Sequence, residues 1–486
     1  MGPLEAGRMH VVVVGGGLAG LVAARRLAEG GVEVELFEAR PEVGGRVRSL
    51  VVEGYTLDRG FQVLFTAYPA VQRELDLDAL DLRPFAAGAT IARPDHRSTV
   101  SDPSEGLGAV VETLLNRDVG LRNALRLRRL RRELQRRDVE ALFDGPDGDG
   151  GDGSDVDGRD GADSDGRNAS DVDGRDGADG VEPGTADDAS VPDPTGRAAP
   201  ESDATIRQYL DDRGFSEAFV ENFFEPFYGG ITLDRSLSAS SAIFEYTFSM
   251  LDEGKTAVPA EGMGAVPVQL RDRAEAAGAV VRTNKRVTGL DVDDDGEGVT
   301  VVAENERVFP DAAVVATDPV TAGELTGVDT PTEARGCVTV HCSLPAHQSL
   351  DTGRRLLLNA ADARPNTVAP MSAVAPEYAP ADGDRQLLSA TFLGEQDADD
   401  PALAEEVRDA LEAWYPENHF GDLAVVGVDR VSFAQFAQPP GFRASMPAVD
   451  EPAGPVFLAG DYTRWSSIQG ALESGRRAAT AVLEAP

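Results

Sequence analysis

The chain has 486 residues, 84 of them acidic against 45 basic, and a formal charge of −39; a general role in binding nucleic acid, itself a polyanion, is excluded on charge. Only Lys255 and Lys285 are lysines, and an acidic excess balanced almost wholly by arginine is the composition of a protein kept soluble at high salt, so a halophilic source is expected. No run approaches the length of a membrane-spanning helix and no signal peptide is evident before the first apolar stretch, which makes a cytoplasmic location the expectation.

Residues 1–8 show no periodicity and read as an N-terminal extension. From His10 the pattern is strong. An apolar run, Val11–Val14, is followed by Gly15-x-Gly17-x-x-Gly20, a helical segment from about Leu18 to Glu29, a second apolar run from Val32 to Phe37, and then Glu38. Strand, glycine turn, helix, strand and acid make one βαβ unit arranged to hold a dinucleotide. Gly15 suits the tight turn, Gly17 lets backbone approach a pyrophosphate, and Gly20 allows close packing of helix on strand. The helix start at Leu18 and Ala19 offers free amides and a positive dipole end. Glu38 arrives where a carboxylate can accept a ribose hydroxyl.

Ala39 and Arg40 lead into Gly44-Gly45-Arg46, which a nicotinamide site does not need. The second glycine pair again permits close approach of backbone to ligand, and Arg46 adds a fixed cation beside a diphosphate. With this acid-to-GGR pattern the sequence resembles the FAD-dependent amine oxidase and phytoene (carotene) desaturase superfamily. The resemblance implies an α/β fold of the GR2-type flavoprotein kind, with a Rossmann-like FAD-binding domain and an inserted α+β substrate domain. It implies non-covalent FAD, with Glu38 on the adenosine ribose and Ala39, Arg40, Gly44, Gly45 and Arg46 along the diphosphate and ribityl chain. Gly60, Phe61 and Gln62, in the stretch Gly54–Leu64, would lie near the flavin ring.

Residues 66–143 read as mostly helical. Within them, Leu121–Leu142 holds eight arginines between Arg122 and Arg137, with leucines at helical spacings. Two readings stand: a surface helix paired with the chain's own carboxylates, or a basic amphipathic helix (121–137) that touches anionic lipid and makes the protein membrane-associated. Residues 144–203 are rich in Asp, Gly and Ser, carry 19 acids against 4 arginines, and repeat DVDGRDGAD at 155–163 and 171–179. Such a stretch cannot bury enough apolar area to offset chain entropy and is expected to be a disordered linker. It lacks the spacing of calcium-binding repeats. The run from Asp291 through Asp293 and Asp295 to Gly296 lacks the closing Glu of a calcium loop, Val302 standing there, and reads as a hairpin turn. Asn168-Ala169-Ser170 is a glycosylation sequon that matters only in an exported protein.

From Thr205 the pattern is helical and aromatic. Phe215, Phe219 and Phe223 share one helix face, either as core or as the wall of an apolar cavity. Phe224–Ile231, with Pro226 and Gly229-Gly230, reads as a loop at a domain junction. Strand-rich sequence follows from Val258. The resemblance implies re-entry into the cofactor domain there, with the amide of Val287 against the adenine and Val314–Pro319 closing the domain. Strands are expected at about 337–344, 354–359 and 386–393, and a helix at about 401–414. Cys337 and Cys342 fall on opposite faces of one strand, which favours separate buried thiols over a disulfide or shared metal.

The closing motif runs Val456–Thr463, with Gly460-Asp461 at a strand end and a helix beginning near Ser467 and Ile468. That helix N-terminus would face the flavin pyrimidine edge, and Asp461 would bind through its backbone amide. AGDYT and GALESG resemble the plant-type carotene desaturases; Trp465-Ser466 is similar to the amine oxidases. The implied division is an FAD-binding domain from 9–65, 255–330 and 425–486, a substrate domain from 66–143, 204–254 and 331–424, and the insert 144–203.

The implied function is hydride abstraction from a C–C or C–N bond of a small, apolar substrate, carotene-desaturase-like or porphyrinogen-oxidase-like, with oxygen or a quinone as electron acceptor. Three departures count against a flavin amine oxidase, which stays as the alternative. The closing motif has no cysteine, no lysine is matched to the flavin, and no tyrosine pair forms an amine cage. A non-catalytic protein stabilised by FAD is the alternative of another class. The two later motifs oppose a nicotinamide dehydrogenase. No catalytic side chain and no metal ligand is named, since hydride transfer needs geometry more than a particular group.

Overall fold

The computed structural model describes residues 8–100, 120–137, 142–143, 203–293, 296–304, 306–348 and 350–485. The N-terminal extension before Arg8, the acidic insert apart from Asp203, the sequon at Asn168 and the expected turn residue Asp295 lie outside these.

Five short strands form a parallel sheet in the order Val280–Arg282, Glu33–Phe37, His10–Val14, Ala312–Val315, Val456–Leu458. Val11, Val12 and Val13 are fully buried, as expected of parallel strands covered on both faces, whose sequences are unbroken apolar runs. The helix Leu18–Glu29 packs against Ala265–Ala277 and Ile468–Glu484. Contact with the last of these is close: a Cβ at Gly475 would fall 2.2 Å from Ala19 O. Strands far apart in sequence are thus neighbours, and the N-terminal glycine turn and the C-terminal motif meet at one end of the sheet.

A second sheet has seven strands, ordered Ala424–Phe436, Ala334–Pro345, Arg385–Leu393, Thr367–Ala369, Leu356–Asn359, Ala89–Arg93, His96–Val100. The helix Asp400–Trp414 covers one face with Leu403, Val407, Leu411 and Trp414. It starts where Asp399 accepts a hydrogen bond from the amide of Ala402 (3.0 Å) and Pro401 occupies the first turn. The aromatic helices of 206–253 lie against the cofactor-side core. The chain therefore has an α/β, Rossmann-like fold with an inserted α+β region.

Four sequence expectations change. Residues 82–100 are not helical: Leu82–Pro84, Ala89–Arg93 and His96–Val100 are strands, and the last two form a hairpin through Pro94-Asp95, with Asp95 in the left-handed region (φ 57°). Phe224–Ile231 is not a loop. Val220–Phe224 is a π-helical turn running into the helix Glu225–Thr232, where Pro226 sits in the first turn and needs no intrahelical amide bond. Gly229 is there for proximity: a Cβ would fall 3.1 Å from Arg235 Cα. The strand Ala424–Phe436 pairs with Ala334–Pro345, so the second sheet extends past residue 424, the expected domain boundary. The basic helix spans Gly120–Leu134 and ends sooner than expected.

Cys342 lies in the cluster beneath the helix Asp400–Trp414, whereas Cys337 faces the opposite side; both are free thiols. Asp58 joins distant segments. Its carboxyl accepts from Ser49 Oγ (2.5 Å), Tyr378 OH (2.7 Å) and the Met263 amide (2.9 Å). Burial pushes its pKa up to about 6, against the opposing pull of those hydrogen bonds.

Candidate functional site

One cavity of about 860 Å³ runs from the glycine turn to the aromatic helices, near the top of the usual range for ligand sites. Gly15, Gly17, Leu18, Ala19, Glu38, Ala39, Arg40, Gly44, Gly45, Arg46, Gly60, Phe61, Gln62, Val287, Gly460, Asp461, Ser467 and Ile468 all line it. Gly20 does not. It lies behind the turn, where a Cβ would fall 2.0 Å from Gly15 O and 3.1 Å from Ala316 Cβ, the helix-on-strand contact its spacing suggests.

The turn itself is built by Gly15, whose φ of +110° and 2.6 Å approach to Ala316 O admit no side chain. A Cβ on Gly17 would meet no protein atom within 4 Å, so its backbone is open to the cavity. The helix Leu18–Glu29 has no side-chain cap and no acid in its first turn, which leaves its first amides to a ligand. The second glycine pair is tied to the first by Gly44 N donating to Gly16 O (2.8 Å). Glu38 is held rigidly: Oε2 accepts from Gly16 N (2.7 Å) and Oε1 from Arg40 N (2.8 Å). Each carboxylate oxygen keeps a further lone pair for a hydroxyl. Lys285 lines the same end, paired with Glu306 and set over the Phe37 ring.

Arg46 donates to Asp461 Oδ1 (2.6 Å) and to Ala434 O (3.0 Å). Asp461 Oδ2 accepts from Ser466 Oγ (2.9 Å). Burial by itself would lower the pKa of Arg46; the Asp461 carboxylate, with Asp318 adding to it, outweighs this and holds the guanidinium charged. Asp461 was expected to act through its backbone; its side chain is occupied in fixing Arg46. Ser467 caps the final helix by accepting from Gly470 N (2.8 Å).

The other half of the cavity is apolar. Phe61, Phe85, Phe223, Phe227, Phe248, Ile231, Leu251, Leu356 and Leu358 line it. Phe219, Phe223 and Phe227 stack in parallel, with centroids 5.4 and 5.5 Å apart. Both readings of this aromatic face hold in part: Phe215 and Phe219 are core, while Phe223 and Phe227 form wall. The π-turn between them is the kind of irregularity often found at functional sites. Tyr68 and Trp465 also line the cavity, but they pack edge to face on each other (6.1 Å, 90°).

Sequence reasoning missed Tyr68, Lys255, Tyr228, Cys337 and Thr391 as lining residues. For Lys255 a signal existed, since both of the chain's lysines face this one cavity. For the others, burial alone gives no address. Among the described residues no group of His, Cys, Asp and Glu is arranged to hold a metal.

Comparison with known proteins bears on this cavity. The flavin-containing amine oxidoreductase family matches residues 18–172 and 188–483. The chain belongs to this family. Members contain flavin, and a long cavity with an open glycine turn, uncapped helix amides and a fixed arginine at one end fits such a group. A phytoene dehydrogenase from Streptomyces griseus is 29% identical over 333 residues, 65% of this chain. The match spans about half that relative, 54% of its length. A zeta-carotene desaturase from Synechocystis sp. is 46% identical over 61 residues, 12% of each chain. Among solved structures, an oxidoreductase from Methanosarcina mazei has a TM-score of 0.65 at 16% identity, covering 98% of this chain and all of that one. Cyclohexylamine oxidase from Brevibacterium oxydans scores 0.61 at 15% identity, covering 98% and 99%. These two likenesses concern the fold.

Proposed function

We propose that this chain is an FAD-dependent oxidoreductase that oxidises a C–C or C–N bond of a small, apolar substrate to a double bond, the hydride of one C–H bond going to the cofactor and a proton to solvent, in the manner of a carotene desaturase or porphyrinogen oxidase. The observation that carries the reading is one cavity with a glycine-turn end lined by Glu38, Arg40 and Arg46 and an end lined by aromatic side chains. Bound FAD, held without a covalent link, supplies a two-electron acceptor that oxygen or a quinone then re-oxidises.

Each end has its task. Glu38 would accept ribose hydroxyls, and the amides of Gly17, Leu18 and Ala19 would take diphosphate charge with Arg40 and Arg46 beside them. Gly44 and Gly45 would give backbone approach, and Val287 would meet the adenine. Gly60, Phe61, Gln62, Gly460, Asp461, Ser467 and Ile468 would border the reacting ring. The aromatic wall excludes water and orients the substrate, and positioning of this kind is most of what a hydride transfer requires. In this reading the cofactor domain gathers 9–65, 255–330 and the chain after Phe436.

Amine oxidation is the less supported alternative. A cationic substrate needs a counter-ion or a splayed pair of rings. Asp252, the carboxylate lining the aromatic half, is engaged by Arg131 and by Gln135 Nε2 (2.8 Å), and Tyr68 and Trp465 close on each other. The functional test is anaerobic mixing of the flavin-loaded protein with apolar alkenes and porphyrinogens on one side and primary amines on the other. Bleaching by an apolar donor is expected.

We further propose peripheral contact with an anionic membrane through the basic helix. Arg131, Arg137 and Glu133 are engaged by Asp252, Glu245 and Arg213. Leu121 and Leu125 remain on the exposed face, with Arg122, Arg128, Arg129 and Arg132 around them. No helix among the described residues is long and apolar enough to cross a membrane. Co-flotation with phosphatidylglycerol vesicles in molar salt, reduced by Leu121→Asp/Leu125→Asp, is the expected result; absence of flotation by the wild type sinks the idea.

A further inference from the structure

We infer that Gly336 is a positioning residue: having no side chain, it lets the strand opposite bulge, and the bulge sets the carbonyl of Ala434 on Arg46 and so fixes that cation at the cofactor end of the cavity. The inference rests on the proposed function, which puts Arg46 beside the flavin nucleotide, and adds to it a residue that touches no ligand.

The strands Ala334–Pro345 and Ala424–Phe436 pair antiparallel, with Arg335 opposite Gln435 and Cys337 opposite Val431. Between these pairs Gly336 alone stands against Ser432, Phe433 and Ala434, a wider bulge than the usual two residues against one. A regular strand shows alternate residues to each face. Here the consecutive residues from Val431 to Gln435 all line the cavity. Ser432 is exposed and Phe433 and Ala434 are half-buried, so the bulge has accessible surface.

The room for it comes from Gly336. A Cβ there would fall 2.9 Å from both Val431 O and Ser432 O, backbone atoms that no rotamer change moves aside. Gly336 cannot retreat, because its own carbonyl accepts from Gly394 N (2.8 Å) beyond the neighbouring strand Arg385–Leu393. Its backbone does not adopt a positive φ, so glycine is demanded by space and not by conformation.

What the bulge reaches is Arg46. Nη1 donates to Ala434 O (3.0 Å) and Nη2 to Asp461 Oδ1 (2.6 Å). The chain just beyond the bulge steadies the second anchor as well: Gln438 Oε1 accepts from Ser466 N (2.8 Å), and Ser466 Oγ donates to Asp461 Oδ2 (2.9 Å). Gln435 Nε2 donates to Ile231 O (2.7 Å) on the aromatic side. One stretch, 434–438, thus spaces both anchors of the guanidinium and ties the two ends of the cavity together. A planar guanidinium held at two points aims its remaining N–H groups in a fixed direction and gives up little freedom on meeting an anion.

The test is a double-substitution cycle on the full, flavin-loaded chain. It is read as the dissociation constant of FAD, from the fluorescence of flavin released on dilution. Gly336→Ala should weaken FAD about tenfold, the equivalent of one hydrogen bond to a charged group. Made together with Arg46→Gln, which keeps a donor for Asp461 but leaves no guanidinium to position, it should cost less than about a further twofold. The reduction potential of the bound flavin should fall in Gly336→Ala and fall no further in the double variant than in Arg46→Gln, since a fixed cation favours the more negative, reduced flavin. Ser432→Gly adds no bulk and only frees the bulge backbone; it should weaken FAD about threefold with the same dependence on Arg46, and it carries the test if Gly336→Ala does not fold. Equal weakening with and without Arg46, at an unmoved potential, makes Gly336 a packing residue and overturns the inference alone. Binding of FAD by Arg46→Gln as tight as by wild type overturns it together with the placement of Arg46 at the cofactor.

Discussion

Gly20→Ala should leave the purified protein with less than about a tenth of the wild-type flavin. The added methyl would lie 2.0 Å from Gly15 O, a backbone atom in a turn that is itself fixed by contact with Ala316. No rotamer change relieves that contact, so the helix Leu18–Glu29 must shift off the sheet, carrying the open turn at Gly17 with it. Overpacking of this kind destabilises by about 1–3 kcal/mol, and the melting temperature should drop. Gly17→Ala separates ligand from fold. Its φ of −74° suits any residue, and no protein atom lies within 4 Å of the new Cβ. That variant should fold with wild-type stability and still lose flavin, because the methyl occupies the cavity. The ratio of visible to ultraviolet absorbance and a thermal melt measure both effects. Full flavin retention in Gly17→Ala would remove the turn from the cofactor site.

Asp461→Ala should be the more destabilising of two changes at the ion pair that closes the site. It strips Arg46 of its partner and leaves Ser466 Oγ without its acceptor. Breaking a buried pair from one side typically destabilises by 3–5 kcal/mol. Arg46 retains 33% side-chain exposure, so solvent recovers part of this and about 2–3 kcal/mol is expected. Asp461→Asn keeps an acceptor for Arg46 and should lie between. Because the pair is mostly shielded, the difference between wild type and Asp461→Ala should persist in molar salt, where exposed pairs are screened away. Urea unfolding at low and high salt measures it. A loss that disappears at high salt would make this an ordinary surface pair.

The cofactor end of the cavity is legible in the sequence because its groups come from contiguous stretches. Gly15 to Gly20, Glu38, and Gly44 to Arg46 are set by chain geometry alone, and each residue type has one physical task. The same holds for Gly460-Asp461 and the helix start at Ser467. What joins these stretches is not legible. Arg46 and Asp461 meet only because strands from opposite ends of the chain are neighbours in one sheet, and no local pattern records that pairing.

The apolar end is illegible for a different reason. Thr391, Leu358 and Cys337 reach the cavity as alternate residues of strands that are buried on both faces, and alternation is lost where both faces are apolar. Pro226 misleads because a proline inside an aromatic helical pattern reads as a break, whereas a π-turn before it restarts the helix. The hairpin at Pro94-Asp95 carried a usable turn signal. Arginines and histidine on its strands hid the alternation around it.

The central proposal is that an apolar substrate passes a hydride to flavin in this cavity. The most direct measurement is the visible absorbance of the flavin-loaded protein on anaerobic mixing with apolar alkene or porphyrinogen donors and with primary amines of similar size. The account predicts bleaching by at least one apolar donor, slowed by substitutions of Phe223 or Phe227, with no bleaching by amines. Rapid reduction by amines, with the apolar donors inert, would contradict it.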